Sequence, residues 1–179
     1  NNNSLDTEFN EISVEAWVYP KLLSGSNYIV GKWQRFGTTD RSYNLRYGYG
    51  SLYFHVENSD DQDGYVVKPG AISVNKWWHI VGTWNGSLIS LFVNGVNVAN
   101  NSFSGNKIYN SSIPLAIGKV NGQENYNYFN GTIDEVKIYN RSLSKEQINV
   151  LYNNHTNLII SQETTVGEDW SICITPNDG

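Results

Sequence analysis

One acidic loop has the composition of a cation-binding site. The segment 58–64 (Asn-Ser-Asp-Asp-Gln-Asp-Gly) carries the carboxylates of Asp60, Asp61 and Asp63 and ends on a flexible glycine. Calcium takes about six to eight oxygen ligands from carboxylates and carbonyl groups, which such a loop supplies. The loop departs from an EF-hand, because no glutamate stands at the twelfth position counted from Ser59. The sequence leaves two alternatives open, a calcium site and a solvated acidic turn.

A second candidate chemistry is sugar binding by aromatic and amide side chains in predicted loops. Aromatic rings offer an apolar face, amide groups both donate and accept hydrogen bonds, and loops commonly carry function. The candidate ligand-binding residues are Trp33, Tyr47, Tyr49, Gln123, Tyr126 and Tyr128. Packing within the domain is the alternative role of these side chains. Trp17, Trp77 and Trp84 are expected to lie in the core.

The sequence lacks the residue patterns of common hydrolases. Glycoside hydrolysis needs two carboxyl groups about 5–9 Å apart across the scissile bond. Asp134 and Glu135 are adjacent, and neighbouring side chains on a strand point to opposite faces. His55, His79 and His155 accompany no serine or cysteine nucleophile in a recognisable motif. We therefore predict no catalytic residue and a non-enzymatic role.

Charge and composition argue against two classes of partner. The 179 residues include 12 Lys+Arg and 17 Asp+Glu, and the basic residues are scattered, which argues against nucleic-acid binding. No apolar run approaches the roughly 20 residues that cross a bilayer, so membrane insertion is not expected. Cys173 is the single cysteine, so no internal disulfide is expected.

The composition favours a protein that is extracellular or on a cell or virion surface. Only 16% of the residues are charged, against roughly 25% in an average globular protein, and asparagine is abundant. Asn-x-Ser/Thr sequons are also numerous, which either glycosylation or the abundance of asparagine explains. The candidate glycosylation sites are Asn2, Asn85, Asn100, Asn110, Asn130, Asn140 and Asn154.

The elements that must position these residues are mostly strands. Apolar residues alternate along Ile12–Tyr19, which predicts a strand that Pro20 ends. Strands at roughly ten-residue spacing with Gly- and Asn-bearing turns between them are typical of an all-β sandwich. The other predicted strands are Tyr28–Trp33, Tyr43–Tyr47, Ser51–Glu57, Trp77–Trp84, Ser87–Val93, Leu115–Lys119, Thr132–Tyr139, Leu158–Gln162 and Trp170–Thr175.

Local signals also predict two hairpins and one helix. Asn85-Gly86 and Asn94-Gly95 each separate alternating strands, which favours type I′ turns and a meander from about Trp77 to Ala99. The segment 144–147 (Ser-Lys-Glu-Gln) has the pattern of a capping box. A short helix is therefore predicted to begin after Ser144 and to end near residues 153–154.

Taken in order, these segments resemble the laminin-G-like, concanavalin A-like jelly-roll family over roughly residues 4–153. The resemblance implies an antiparallel two-sheet jelly-roll sandwich with one short helix near the C-terminal end of the domain. The segments that carry it are Ile12–Pro20 (ISVEAWVYP), Tyr28–Trp33 (YIVGKW), Trp78–Asn85 (WHIVGTWN), Leu91–Gly95 (LFVNG), Pro114–Gly118 (PLAIG), Phe129–Leu143 (FNGTIDEVKIYNRSL) and Ser144–Ile148.

The resemblance also implies a function. Members of this family are usually non-catalytic recognition or adhesion modules of extracellular proteins, often with sugar ligands and often with one bound calcium ion. The implied partner is a glycan or a surface protein. Asp134 becomes a further calcium candidate, because it resembles the aspartate of the family's Gly-x-Ile-Asp-Glu strand. A structural role, in which Asp134 holds neighbouring backbone groups, is the alternative.

Two departures from the family pattern suggest a second function. We assign residues 1–157 to the jelly-roll domain, in which the family's opening strand, beside Thr132–Tyr139, is missing. Residues 158–179 form an extension that resembles the start of an immunoglobulin-like linker of archaeal surface proteins. A strand near Trp170–Thr175 is hypothesised to fill the vacant place in its own domain or in another copy, and the alternative is that the extension packs loosely. The alternative function is therefore a structural subunit of a surface fibre or layer, assembled by strand exchange.

Overall fold

The computed structural model describes residues 9–34, 40–121 and 128–153, which form mainly strands. The predicted strands Leu158–Gln162 and Trp170–Thr175 lie outside these residues. The elements are β1 (Ile12–Leu22), β2 (Ser26–Lys32), β3 (Tyr43–Gly48), β4 (Ser51–Glu57), β5 (Asp63–Pro69), β6 (Trp78–Trp84), β7 (Leu88–Val93), β8 (Val96–Ser102), β9 (Ala116–Ile117), β10 (Asn130–Tyr139) and the helix α1 (Lys145–Tyr152).

The strands form two antiparallel sheets that pack face to face. Sheet A has the strand order β10-β1-β6-β7-β8, and sheet B has the order β5-β4-β3-β2-β9. This arrangement, with a single short helix in the described part of the chain, confirms the predicted jelly-roll sandwich. No helix of the described residues has the length and hydropathy needed to cross a membrane.

The core forms where alternate residues of the two sheets face each other. Along β1, the apolar residues at alternate positions from Ile12 to Val18 are fully buried, as the period of a strand requires. They share one cluster with Phe54 of β4 and Trp84 of β6. A Cβ atom added to Gly82 would lie 2.2 Å from the Phe54 ring. Glycine at position 82 therefore lets the two sheets approach closely.

The two Asn-Gly pairs form different turns. Asn94 and Gly95 both have positive φ (50° and 76°) and join the paired residues Val93 and Val96, as a type I′ turn requires. At the other pair only Gly86 has positive φ. There the Asn85 side chain accepts hydrogen bonds from the backbone N–H groups of residues 87 and 88. The predicted meander is confirmed, but the type I′ assignment at Asn85-Gly86 is wrong.

The helix begins at the predicted capping box. The Ser144 hydroxyl accepts a hydrogen bond from the Gln147 backbone N–H, and the Gln147 side chain accepts one from the Ser144 N–H. Asn153 caps the C-terminal end. Ile148 packs against Val81 of β6 on the outer face of sheet A. The helix therefore covers part of that face, whereas the sandwich core lies on the opposite side of the sheet.

Two predicted strand boundaries are wrong, each for a local reason, and one strand was not predicted. Pro20 does not end β1, which continues to Leu22; Pro20 lies opposite Gly131 beside an irregularity in the pairing, where a residue without an N–H is tolerated. The strand predicted at Leu115–Lys119 contracts to Ala116–Ile117, because Gly118 turns the chain with φ of 74°. Strand β5 was not predicted at all, and it follows the acidic loop directly.

Strand β10 is the edge of sheet A in the described part of the chain. It pairs with β1 on one side, and no strand of the described residues pairs with its other side. The pairs Glu15–Lys137 and Trp17–Asp134 enclose one residue on β1 and two on β10, so β10 bulges there. Glu135 in the bulge has φ of 48°. The domain boundaries proposed near residues 157 and 158 stay predictions.

Candidate functional site

Polar and aromatic side chains follow each other across the outer face of sheet B. Strand β4 turns Leu52, Phe54 and Val56 into the core, so Tyr53 and His55 lie on the other face. In the strand register, Asn44, His55 and Tyr65 form one row across β3, β4 and β5, and Arg46 lies opposite Tyr53 in the next row. We call this surface the histidine face; its residues are Trp33, Arg41, Ser42, Asn44, Arg46, Tyr53, His55 and Tyr65.

His55 is the centre of the ring contacts on the histidine face. Its ring centroid lies 5.2 Å from that of Trp33, 5.7 Å from that of Tyr53 and 5.1 Å from that of Tyr65. The Arg46 guanidinium lies 4.0 Å above the Tyr53 ring centroid. Tyr65 is 46% exposed, whereas His55 is buried. The face therefore combines an accessible aromatic platform with a buried polar floor.

Burial and two arginines favour the uncharged form of His55. Burial lowers the pKa of His55, and the charges of Arg46 and Arg41 lower it further, while Asp63 acts in the opposite direction. Arg46 Nη2 lies 3.4 Å from His55 Nε2, and because guanidinium only donates, Nε2 accepts. The hydrogen of the neutral ring then belongs on Nδ1, which lies 3.6 Å from Asp63 Oδ1. His55 thus offers one N–H donor.

Five buried polar side-chain atoms of the histidine face have no hydrogen-bond partner within the described part of the chain. Both amide atoms of Asn44 belong to this group, although its side chain is fully buried. A buried polar group without a partner costs about 1–3 kcal/mol, and native proteins contain few of them. The atoms are Arg41 Nε, Ser42 Oγ, Asn44 Nδ2, Asn44 Oδ1 and His55 Nδ1.

The acidic loop lies at the edge of this face and is held by Asn58. Asn58 Oδ1 accepts hydrogen bonds from the backbone N–H groups of Asp60 and Gln62, both at 3.0 Å. Burial, together with a hydrogen bond to Asp61, raises the pKa of Glu57 to about 7. When two carboxyl groups are in contact, the charge of one disfavours ionisation of the other, so one of them keeps its proton to a higher pH. The loop is therefore organised by amide and carboxyl hydrogen bonds.

The calcium candidates do not converge on one point. Across the described ranges, no group of three or more His, Cys, Asp or Glu side chains is placed to hold a metal ion. Asp134 lies on β10 of the other sheet, and its Oδ1 accepts a hydrogen bond from the Glu135 N–H at 2.8 Å. Asp60, Asp61 and Asp63 thus do not form such a group of side chains in the described residues. Calcium binding stays a prediction.

The predicted sugar-binding residues lie in different parts of the structure. Trp33 is part of the histidine face, but Tyr47 is buried in the core cluster. Tyr49 is 74% exposed on the turn between β3 and β4, and Tyr128 is exposed just before β10. Gln123 and Tyr126 lie outside the described residues, as do the candidate glycosylation sites Asn2 and Asn154. The other candidate glycosylation sites are exposed: Asn85, Asn100, Asn110, Asn130 and Asn140.

The sequence analysis missed most residues of the histidine face. Arg41, Asn44, Arg46, Tyr53 and Tyr65 were not considered, and His55 was considered only as a catalytic base. The signal was present in β4, where alternation places Tyr53, His55 and Glu57 opposite the core residues. No local signal shows which faces of β3 and β5 lie beside them, because strand pairing is non-local.

The outer face of sheet A contains a second buried polar group, and it is paired. Glu15 is 1% exposed and accepts hydrogen bonds from His79 Nε2 at 3.1 Å and from the Tyr139 hydroxyl at 2.7 Å. Burial alone would raise the pKa of Glu15, but these bonds and the charge of Lys137 outweigh it and lower the pKa. His79 is thus a packed histidine that holds Glu15.

Two of the three tryptophans expected in the core are instead on this outer face. Trp84 is fully buried in the core, but Trp77 is 43% exposed and Trp17 is half-buried. Both line a cavity together with Asp134 and Glu135. The expectation that these adjacent carboxylates point to opposite faces is therefore wrong, because the bulge in β10 interrupts the alternation.

The comparisons with known proteins agree with the fold. The model of a family described as the concanavalin A-like lectin/glucanases superfamily (Laminin_G_3) matches residues 1–149. A comparison with curated proteins finds no match. Among solved structures, the chain is similar to the receptor-binding domain of botulinum neurotoxin C/D mosaic serotype, with 17% identity and a TM-score of 0.62 over 86% of this chain and 39% of that one.

Two further solved structures are similar. The binding domain of Paraclostridial Mosquitocidal Protein 1 has 20% identity and a TM-score of 0.64 over 88% of this chain and 40% of that one. A proposed carbohydrate-binding protein from Bacteroides ovatus has 21% identity and a TM-score of 0.65 over 80% of this chain and 41% of that one. The chain thus spans about two fifths of each of these structures. At these sequence identities the similarity shows a shared fold and nothing more.

Proposed function

The chain belongs to the concanavalin A-like lectin/glucanases superfamily, and from this premise we propose that it is a non-catalytic recognition module that binds carbohydrate through the histidine face. The similar structures are described as receptor-binding or carbohydrate-binding proteins, which supports a binding role. The proposed setting is extracellular or on a cell or virion surface, where glycans and surface proteins are the available partners.

The unpartnered polar atoms of the histidine face carry this proposal. Asn44 contributes an amide NH2 group and a carbonyl oxygen, Ser42 a hydroxyl and Arg41 one N–H, whereas the His55 N–H lies 3.6 Å from Asp63 Oδ1. Sugar hydroxyls donate and accept in the same way, so a sugar that reached these buried atoms would satisfy groups that have no partner among the described residues. A polar group that stays buried and unpaired lowers the stability of the fold. Such a group is expected where it binds a ligand.

The aromatic platform supplies the second half of sugar recognition. Tyr53 and Tyr65, whose ring centroids lie 6.4 Å apart, stand beside the unpartnered atoms on adjacent strands. Rings of this kind stack against the apolar C–H surface of a sugar while their hydroxyl groups reach solvent or ligand. The site therefore offers both an apolar wall and hydrogen bonds, as small-ligand sites do.

A glycan-array screen of the full chain tests this function, with calcium and with a chelator. The critical variant is Asn44→Leu, which removes both unpartnered amide atoms and keeps a similar volume. Asn97→Leu is the matched control, because it makes the same change on β8 of sheet A. We expect Asn44→Leu to weaken binding of any hit by about tenfold and Asn97→Leu to leave it unchanged. No hit, or equal loss in both variants, would contradict the proposal.

No strand of the described residues pairs with the outer side of β10, which favours a second candidate function, a structural subunit of a fibre or layer. An open strand edge presents N–H and C=O groups that a strand from another copy satisfies. The experiment compares the size of the full chain in solution with that of a chain ending at Glu168. Concentration-dependent assembly that the shorter chain loses supports strand exchange; identical behaviour of the two chains removes it.

A further inference from the structure

A cavity of about 450 Å³ opens on the outer face of sheet A, on the opposite side of the sandwich from the histidine face. Trp17 of β1, Trp77 just before β6, and Leu151 and Tyr152 of α1 form its apolar walls. Asp134, Glu135 and Asn153 complete the lining. We call it the acidic cavity.

The bulge in β10 gives the acidic cavity its two carboxylates. In a regular strand one of two adjacent side chains would point away. Here Glu135 adopts a positive φ, and both Asp134 and Glu135 line the same space. Bulges commonly redirect a side chain beside a functional site. Asp134 Oδ1 also accepts the Glu135 N–H, which holds its carboxylate beside the bulge.

Ring contacts hold the aromatic walls in place. The Trp17 and Tyr152 ring centroids lie 5.9 Å apart at an interplanar angle of 20°, and the His79 ring lies 5.1 Å from Trp17 and 5.9 Å from Tyr152. Trp77 meets the edge of Tyr19 at 5.7 Å. Because His79 is itself bonded to the buried Glu15, the floor beneath Trp17 and Tyr152 is a fixed network.

The charge around the acidic cavity is predominantly negative. Lys137 pairs with Glu135 at 2.8 Å, but no cation of the described residues pairs with Asp134. The C-terminal end of α1 also borders the cavity, and its last turn carries no basic residue. The carbonyl groups at a helix C-terminus add a partial negative charge of about one half.

We infer that the acidic cavity binds a small quaternary ammonium ion. Tryptophan and tyrosine faces attract cations within about 6 Å, and weakly hydrated ammonium groups carrying methyl groups suit an apolar wall. Asp134 supplies the compensating charge. The Asn153 amide already donates to Asn149, which leaves the two indole N–H groups and the Tyr152 hydroxyl as side-chain donors of the lining. Aromatic surface and negative charge therefore dominate the lining, and both suit a weakly hydrated cation.

The experiment titrates the full chain with choline and, in parallel, with its neutral isostere in which carbon replaces the quaternary nitrogen. Choline should bind at least about fivefold more tightly than the isostere, because only choline gains the cation–π and carboxylate terms. Phosphocholine distinguishes a lipid headgroup from a free ammonium ligand. It should bind more weakly than choline, since its phosphate is repelled by the two carboxylates.

Three variants complete the test. Asp134→Asn keeps an acceptor for the Glu135 N–H and removes the charge, so choline affinity should fall about fivefold with the fold intact. Trp77→Ala should lower it about threefold to thirtyfold. Asp60→Asn, which removes an exposed carboxylate elsewhere, is the charge-matched control and should change nothing. Equal binding of choline and its isostere, phosphocholine binding as tightly as choline, or unchanged affinity in Asp134→Asn would overturn the inference.

Discussion

Buried polar groups on the outer faces of the two sheets differ in whether they have hydrogen-bond partners. On sheet A, the buried Glu15 has His79 and Tyr139 as hydrogen-bond partners. On sheet B, the buried amide of Asn44 has none among the described residues, and the nearest carboxylate oxygen to His55 Nδ1 is Asp63 Oδ1 at 3.6 Å. On sheet A, His79 Nδ1 is likewise without a partner within the described part of the chain. The paired group stabilises its face, whereas a buried polar atom without a partner lowers stability.

The two faces also differ in charge. Two arginines stand on the histidine face, and two carboxylates line the acidic cavity. Both faces carry aromatic rings, so the rings alone do not decide what binds. The polar groups beside the rings select between a hydroxyl-rich ligand and a cation.

The largest expected effect comes from the core that the two faces share. Trp84 is fully buried, and its Nε1–H donates to the Phe103 carbonyl at 2.9 Å. Trp84→Ala leaves a large cavity and one unpaired acceptor, so unfolding should become easier by about 3–5 kcal/mol. Chemical denaturation measures the change. A loss below about 1 kcal/mol would show that the sandwich does not depend on this residue.

The next effect compares the paired and the unpaired polar group directly. Glu15→Ala leaves the Tyr139 hydroxyl and His79 without their acceptor, which should cost about 2–4 kcal/mol of stability. Asn44→Leu loses no hydrogen bond within the described residues and should be neutral or slightly stabilising. Denaturation curves of both variants decide the matter. Comparable losses in the two would remove the distinction between the faces.

The pH dependence of stability should have opposite sign on the two faces. The pKa of Glu15 is lowered in the folded state, so its contribution is present above about pH 4.5 and is lost as pH falls through the folded value. The pKa of Glu57 is raised to about 7, so its contribution is present below its unfolded value and is lost as pH rises through about 7.

A single variant isolates the effect at Glu57. Glu57→Gln should be more stable than the parent at pH 8 and should lose that advantage near pH 5, with a chelator present throughout. Denaturation at the two pH values measures it. A variant that is equally destabilised at both values would show that Glu57 is needed as a hydrogen-bonding carboxyl and not penalised as an ion.

The smallest effect is expected at an exposed turn. Tyr49 has φ of 50°, a left-handed conformation that glycine adopts more easily. Tyr49→Gly should therefore stabilise the chain slightly, by about 0.5–1 kcal/mol, without altering binding at either face. Denaturation and the same glycan screen check both halves of this expectation. Loss of glycan binding would move the site from the histidine face to the turn.

The sequence predicted individual turns, strands and the helix better than it predicted which of them lie next to each other. Asn94-Gly95 and the capping box at Ser144 act over a few residues, and both were found where expected. The bulge at Glu135 depends on how β10 pairs with β1, and no local pattern reveals it. Trp17 was expected in the core, but it lies on the face of β1 opposite Val14, Ala16 and Val18, and its partial exposure depends on where α1 packs.

The candidate site was missed for the same reason. Asn44, His55 and Tyr65 come from three strands, and only the register of sheet B brings them into one row. Asn44 in isolation is an ordinary polar residue at an outward position of a strand. Its significance appears only when its burial and its lack of partners are known.

Chemical-shift mapping of the full chain with a glycan hit tests the central claim most directly. Titration of labelled protein should perturb the amide signals of Asn44, His55 and Tyr65 first and most strongly, and leave those of Asp134 and Tyr152 unchanged. Perturbations concentrated at the acidic cavity or at the turn around Tyr49, with β3, β4 and β5 unaffected, would contradict it.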